Sequence, residues 1–403
     1  MPQHEFEEIQ QLIIQEHEIN KDLPEGNTAD VFETTVCGPM ALTTKTSTPK
    51  TYKEAMTCAQ VEKWKAAIRE EYDNLVANKM FKIMKQSQLP KGANVITGRW
   101  VFKVKSNGDG TVKRFRARLV ARGFQAKAGI DYKETFAPVA AATSIRLLLA
   151  IATLRKLFLA SADFVAAFQN ADLPNVIYFR PPPGLNSKKD EVWALQAALY
   201  GLPNSPLLWA EALKNALLHF GFVQTNADPC LFYQINEHAY TLVGVVVDDL
   251  IVAAKTKEQA DKLISDIGRF YKVKNLGVPK YIIGIHINYD RSRQSLHLNQ
   301  QLYIENLVTK FGQSNAKSTH KPADCNVKLQ KDMGSSAFDE AVYRSLIGSL
   351  IYATITRPDV AVIISQLSRY LACPQKAHWK AVIKVLRYLK TTKCKSLVYQ
   401  PIK

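Results

Sequence analysis

The run VVVDDLIVAA at residues 245–254 sets two adjacent carboxylates, Asp248 and Asp249, inside an otherwise apolar stretch. An ionised carboxylate buried without a partner costs several kcal/mol, so either a tight turn lifts the pair into water or cations are held there. A two-strand hairpin with its turn at Asp248-Asp249 meets both conditions and puts the pair at the mouth of a sheet. An Asp-Asp turn with no chemistry satisfies the same pattern. The run FLASADFVAAF (158–168) repeats the theme, with Asp163 as the single charge between Phe158 and Phe168. A sheet that lays this strand beside the hairpin brings Asp163 and Asp248 together. Clustered oxygen donors without His or Cys suit Mg²⁺, which takes carboxylates together with substrate phosphates. Two such ions about 3.5–4 Å apart clamp the attacking and leaving oxygens of an in-line phosphoryl displacement.

The elements around these runs predict an α+β fold. Apolar positions Trp64, Ile68, Tyr72 and Leu75 recur at the helix period from residue 61, with Asn78 as a stop. A helix is predicted from about Ser144 to Lys156, followed by a strand over 158–168. A second helix opens at Ser205-Pro206, read as an N-cap followed by Pro at N1, and closes at Gly221. Strands at 230–235 and 240–254, a helix through Ala260, Leu263, Ile264 and Ile267, and a strand at 281–289 complete a β-α-β-β-α-β order, the split βαβ arrangement. Residues 296–311, 340–355 and 359–390 read as helices, the last broken near Pro374. Residues 1–50, with an amphipathic acidic stretch at 4–20, read as a tail or linker.

Composition narrows the partners. The chain has 403 residues, 47% hydrophobic and 22% charged, which excludes wholesale disorder or a fibrous repeat. Lys and Arg number 53 against 36 Asp and Glu, a net charge of +17 that favours polyanions: nucleic acid first, an anionic membrane surface second. The six cysteines are scattered without CxxC pairs or finger-like His spacing, so neither a zinc ribbon nor a disulfide framework is suggested. No apolar stretch approaches the ~20 residues of a membrane span, and the acidic start MPQHEFEEIQ is no signal peptide. The expectation is an intracellular protein, nuclear or in a cytoplasmic particle. Charge, split βαβ order and Asp clusters point to nucleotidyl transfer, and a metal-dependent nuclease fits these features almost as well.

Residues 99–122 read as a hairpin, RWVFKVK, the turn SNGDG, then TVKRFRARLVAR. Arg114, Arg116 and Arg118 fall on one face at period two, and Phe115, Ala117 and Leu119 on the other. One face packs; the other presents guanidinium groups suited to phosphate, or is simply a solvated charged face.

At these residues the chain resembles the reverse transcriptase region of copia-type LTR retrotransposon polyproteins, from about residue 50 to its end. The strings that carry the resemblance are RFRARLVARGFQAKAGIDYKETFAPV (114–139), TSIRLLLA (143–150), DFVAAF (163–168), ALYGLPNSPLLW (198–209), DPCLF (228–232), VDDL (247–250), YIIGIHI (281–287), YRSLIGSLIYATITRPDVA (343–361) and HWKAVIKVLRYLK (378–390). The resemblance implies a right-hand polymerase with fingers (51–157), a palm (158–290, with a pocket loop at 198–209) and a primer-grip follow-on and helical thumb (291–403). It implies RNA-directed DNA polymerase activity on an RNA or DNA template with a primer, using dNTPs and Mg²⁺, with Mn²⁺ as a substitute. By the family's motif Asp163, Asp248 and Asp249, with the backbone carbonyl of Phe164, are the metal ligands. Lys103, Lys105, Arg116 and Arg118 match the part that closes on the triphosphate. Phe168 matches the aromatic that excludes a ribose 2′-hydroxyl, and Asn204 lies in the nucleotide pocket loop. Tyr281 and Gly284 match the primer-gripping hairpin, while Arg344, Gly348 and Tyr352, on one helix face, match the thumb surface that tracks the duplex.

The chain departs from the family pattern at several positions. Val246 stands where a Tyr is usual two residues before the first Asp of the pair, and Pro203-Asn204 where Lys-Gln is common. Ala194, Ala197 and Val165-Ala166 replace stretches that are often basic. No integrase zinc motif and no ribonuclease H carboxylate set are legible, and Lys403 falls where the first strand of a ribonuclease H domain is expected. A truncated, inactive nucleic-acid-binding remnant is therefore the alternative to an active polymerase.

Overall fold

The computed structural model describes residues 48–106, 112–185, 188–236, 239–324 and 327–401, so most of the expected tail, including 4–20, and the hairpin turn at 107–111 lie outside the described residues. Helix α1 (Tyr52–Thr57) is capped by Thr51, whose hydroxyl accepts the Glu54 amide, and α2 (Val61–Ala77) ends at Asn78 as its apolar spacing predicts. Then come β1 (Phe81–Lys85), the hairpin strands β2 (Val95–Ser106) and β3 (Val112–Ala121), helix α3 (Ala142–Leu154) and β4 (Phe158–Phe164). Next are β5 (Asp172–Arg180), β6 (Glu191–Ala197), α4 (Ser205–His219), β7 (Val223–Gln224), β8 (Leu231–Asn236), β9 (Ala239–Val246) and β10 (Asp249–Ala254). Helix α5 (Lys257–Ile267), β11 (Val273–Gly277), β12 (Tyr281–Ile282), β13 (Ile285–Asp290) and β14 (Ser295–Asn299) follow. Helices α6 (Gln301–Lys310), α7 (Glu340–Ala353), α8 (Ala361–Ser368) and α9 (Lys376–Thr391) lead to β15 (Leu397–Tyr399). The architecture is mixed α+β.

A six-stranded antiparallel sheet, ordered β11-β4-β10-β9-β8-β7, carries the carboxylates. Strand β10 explains why that run is apolar throughout. Leu250, Val252 and Ala254 pack with Trp209, Leu213 and Ile264 of α4 and α5, while Ile251 and Ala253 pack on the other face with Ile145, Leu148 and Leu149 of α3. With both faces covered, neither parity position of the strand is left for a polar residue until the sheet ends at Asp249.

A five-stranded sheet, β1-β6-β5-β2-β3, is covered by α1 and α2 through Trp64, Ile68, Phe102 and Leu119. It draws in β5 and β6, which follow β4 in sequence, so residues 172–197 share a sheet with the 95–121 hairpin. A four-stranded sheet, β12-β13-β14-β15, packs against α3, and helices α6 to α9 form a separate core around Tyr343, Leu346, Leu367 and Leu386.

Several sequence expectations need correction. The last strand of the central sheet is β11, not 281–289; the latter folds on itself as the β12–β13 hairpin, with Ile283 and Gly284 at φ +47° and +73°. The carboxylate hairpin turns at Val247-Asp248, one residue earlier than expected, because Asp249 already pairs with Val246. Residues 296–299, read as the start of a helix, belong to strand β14, with Leu296 and Leu298 buried at period two. The strand predicted over 158–168 stops at Phe164, and left-handed Ala166 leads into a short 3₁₀ turn. The N-cap of α4 is Asn204; Ser205 is the first helical residue, and its hydroxyl donates to the Leu199 carbonyl at 2.7 Å. Leu397–Tyr399, beyond the last predicted helix, pairs with β14, and Arg146 donates to the Tyr399 hydroxyl at 2.8 Å.

The loop after β6 is clasped to the end of β3. The Ala121 amide donates to the Tyr200 carbonyl at 2.7 Å, and Gly201 sits at φ +89° with space for no side chain, since a Cβ would lie 2.3 Å from the Ala121 carbonyl oxygen. Gly201→Ala is expected to destabilise the fold by at least ~2 kcal/mol in urea unfolding, through backbone strain and forced separation of the two segments.

Candidate active site

Strand register brings the carboxylates together. Asp249 is the cross-strand partner of Asp163, and Asp163 is in turn opposite Lys274 on β11, so the three side chains lie in one row on one face. Asp248 occupies the hairpin turn beside them. Val247 before it stands at φ +54°, the conformation that a primed two-residue hairpin turn needs at its first central position and that a β-branched residue adopts only under constraint. The Phe164 amide donates to the Asp248 carbonyl at 2.9 Å, tying the turn to the end of β4.

The carboxylates repel one another. Burial, then the Asp248 charge, raises the Asp163 pKa, which Lys105, Arg116 and Lys274 partly offset. Burial followed by the charges of Asp248 and Asp163 pushes Asp249 up to about 6. None of the three forms an ion pair or side-chain hydrogen bond among the described residues. An all-oxygen, mutually repelling donor set that nearby cations only partly offset fits a hard divalent ion in its chemistry. Among the described residues, however, no three His, Cys, Asp or Glu side chains are disposed to hold one metal ion.

Basic groups face this row from the β2–β3 hairpin. Arg116 pairs across the hairpin with Lys103, and Arg114 with Lys105. Partial desolvation, then Arg116, Arg118 and Lys103, lowers the Lys105 pKa; burial and Arg118 lower that of Arg116. Such crowding of like charges suits an anion brought in from outside. Arg114 is engaged elsewhere, in a 2.5 Å ion pair with Glu70 of α2. Arg118 lies over the ring of Tyr200, 4.7 Å from its centroid, and Tyr200 meets Phe168 edge-on at 4.9 Å. Phe168 is half-buried and packs against the core of the six-stranded sheet. Asn204 is 4% exposed and its Oδ1 has no hydrogen-bond partner among the described residues.

The residues expected to hold nucleic acid are placed less uniformly. Tyr281 is 53% exposed beside His286. The Tyr352 hydroxyl donates to the Ile283 carbonyl next to Gly284, which ties α7 to the β12–β13 turn. Arg344 is half-exposed but shared between Glu340 and the Leu371 carbonyl. A Cβ at Gly348 would meet nothing within 4 Å, so this stretch of α7 is open, while Tyr343, Leu346, Ile347 and Leu350 on the opposite side are buried.

Residues 78–324, which span the carboxylates, the basic hairpin and the pocket loop, match the family described as reverse transcriptase (RNA-dependent DNA polymerase). The chain belongs to this family. It is homologous to copia-type retrotransposon Pol polyproteins. The retrovirus-related Pol polyprotein from transposon TNT 1-94 of Nicotiana tabacum is 35% identical over 354 residues, covering 85% of this chain and 26% of that protein. That from transposon RE2 of Arabidopsis thaliana is 32% identical over 348 residues, covering 86% of this chain and 23% of its own length. The chain thus spans about a quarter of the length of these relatives. A foamy viral protease-reverse transcriptase solved in complex with double-stranded DNA aligns at a TM-score of 0.40 and 12% identity, over 81% of this chain and 48% of that one. Among the described residues no helix is long and apolar enough to cross a membrane.

Three residues at the site of this family member escaped the sequence reading. Lys274 is set opposite Asp163 by a pairing of distant strands that no local pattern announces. Tyr200 and Trp209 lie in the quoted ALYGLPNSPLLW string, but their contacts depend on tertiary packing. The charge crowding has a measurable consequence in metal-free buffer. With a folded pKa of about 6 and an unfolded one of ~3.9, ionising Asp249 penalises only the folded state. The penalty is absent below about pH 4, grows through the interval to about pH 6 and stays constant above it. Asp249→Asn is expected to stabilise the protein by up to roughly 3 kcal/mol at pH 7.5 in EDTA and by nothing at pH 4, as read by urea unfolding.

Proposed function

We propose that this chain is an RNA-directed DNA polymerase, extending a primer annealed to an RNA or DNA template with dNTPs. The observation that carries the reading is the row Asp163–Asp249 with Asp248 in the adjoining turn, set beneath the basic face of the β2–β3 hairpin. In this reading the five-stranded sheet with α1 and α2 serves as fingers, the six-stranded sheet as palm, and α6 to α9 as thumb. Residues 51–157, 158–290 and 291–403 remain the sequence-level division, with β5 and β6 lending their edge to the fingers.

Asp163, Asp248 and Asp249, with the Phe164 carbonyl, are the groups to hold divalent metal. When bound, two Mg²⁺ or Mn²⁺ ions supply activation of the primer 3′-hydroxyl and charge relief on the triphosphate and departing pyrophosphate. The chain's own residues do the remaining work. Arg116 and Arg118, with Lys103 and Lys105, hold triphosphate oxygens, a task suited to guanidinium forks. Phe168, backed by Tyr200, forms the floor under the sugar, and Asn204 offers its unpartnered amide oxygen to the pocket. Tyr281 and Gly284 present the primer end, and the open stretch of α7 around Arg344 and Gly348 faces the duplex, with Tyr352 holding helix and hairpin together.

Primer extension on poly(rA)–oligo(dT) with dTTP and Mg²⁺ or Mn²⁺ tests this. The native chain is expected to extend the primer, and Asp248→Asn to lose at least about 10²-fold in rate while binding duplex with nearly unchanged, steeply salt-dependent affinity. Duplex binding without any extension would instead mark a catalytically inactive remnant, and metal-dependent shortening of the primer a nuclease.

A further inference from the structure

Trp209, on the first turns of α4, is 1% exposed and touches both segments that carry the carboxylates. Its indole N–H donates to the Val247 carbonyl at 2.7 Å, and its ring meets Phe164 edge-on at 4.9 Å and Tyr271 at 5.2 Å. Val247 immediately precedes Asp248, and Phe164 immediately follows Asp163. Tyr271 is itself fixed to α4, its hydroxyl donating to the Ala212 carbonyl at 3.0 Å.

We propose that Trp209 is a positioning residue that sets the separation of the Asp163 and Asp248 carboxylates and thereby the site's affinity for divalent metal. Val247 is the point of leverage. A β-branched residue at φ +54° drifts back toward ordinary β-space unless something holds its peptide group, and a shift there rotates the turn that bears Asp248. The Val247 carbonyl is held by the indole and the Asp248 carbonyl by the Phe164 amide, so the turn is fastened at two consecutive peptide units, one directly by Trp209 and one through a residue against which Trp209 packs. Strand parity puts Asp163 and Asp249 on the face of Leu159 and Ile251, and Phe164 and Leu250 on the face where Trp209 packs. The indole therefore braces the carboxylates from behind and touches no substrate.

The inference rests on the polymerase reading, and its test separates the two. Mn²⁺ binding to the full chain, measured by calorimetry without nucleotide, is compared for the native protein, Asp248→Asn, Trp209→Phe, Trp209→Phe with Val247→Gly, and a protein carrying benzothienylalanine at 209. The last keeps the bicyclic shape and replaces only the N–H, so it remains informative where the phenylalanine variant fails to fold. Loss of the indole donor, in the phenylalanine or the benzothienylalanine protein, is expected to weaken Mn²⁺ binding about three- to tenfold, the worth of one net hydrogen bond. It should raise the Mg²⁺ concentration for half-maximal extension in parallel, and leave the dNTP KM and duplex affinity unchanged. Glycine at 247, at home at positive φ, is expected to recover most of the loss. Native-like Mn²⁺ affinity in the benzothienylalanine protein, or no rescue by Val247→Gly, overturns the role of Trp209. Mn²⁺ binding that ignores Asp248→Asn overturns the metal site itself.

Discussion

Three carboxylates that repel one another are held at one end of an antiparallel sheet, and the rest of the fold is arranged around that constraint. Left to themselves, Asp163, Asp248 and Asp249 would separate, as the raised pKa values of Asp163 and Asp249 record. Two buried faces prevent it. The β4–β10 register is locked because a one-residue slip would exchange the residues packed against α3 with those packed against α4 and α5. The energy stored as charge crowding is thus supplied by apolar packing some residues away.

The opposing lobe has the complementary arrangement. Burial and the neighbouring guanidinium charges lower the pKa values of Lys105 and Arg116, and Asp163 partly relieves Lys105. The two sets come close without neutralising each other in direct ion pairs. A closed Arg–Asp bridge would satisfy both and leave neither set open to an outside ion. The clasp between the β3 end and the pocket loop, where Gly201 allows backbones to touch, holds the basic strand at this distance.

Much of this was legible in the sequence, and the misreadings share a physical cause. The apolar run around Asp248-Asp249, the alternating Arg face of 114–118 and the ends of α2 each follow from local periodicity or capping, and each is found in the structure. The turn placed one residue late and the turn that periodicity read through as strand are those with a β-branched residue in the left-handed region, Val247 and Ile283. Local propensity points away from a turn at such residues. Long-range hydrogen bonds hold both, from the Trp209 indole to Val247 and from the Tyr352 hydroxyl to Ile283, and no window of sequence contains them. Strands β5 and β6 were missed for a related reason: Pro174 and Pro181 to Pro183 break the local pattern, and only pairing with β1 and β2 makes the segments strands.

The Tyr352 contact also changes how the helical lobe is understood. The family resemblance implies that Tyr352, with Arg344 and Gly348, belongs to a surface that meets nucleic acid. In the structure its hydroxyl is spent on Ile283, its ring on Tyr303 at 4.7 Å, and its carbonyl on Gln300 at 3.3 Å. Gln300, 2% exposed, also accepts from the Thr356 hydroxyl at 2.7 Å, so the end of β14, the β12–β13 turn and the C-terminal part of α7 form one hydrogen-bonded unit. Arg344 and Gly348, two and one turns earlier on α7, are carried by that unit at a fixed offset from Tyr281. The helix and the hairpin must then move together, which binds the surface that would hold the duplex to the one that would hold the primer end.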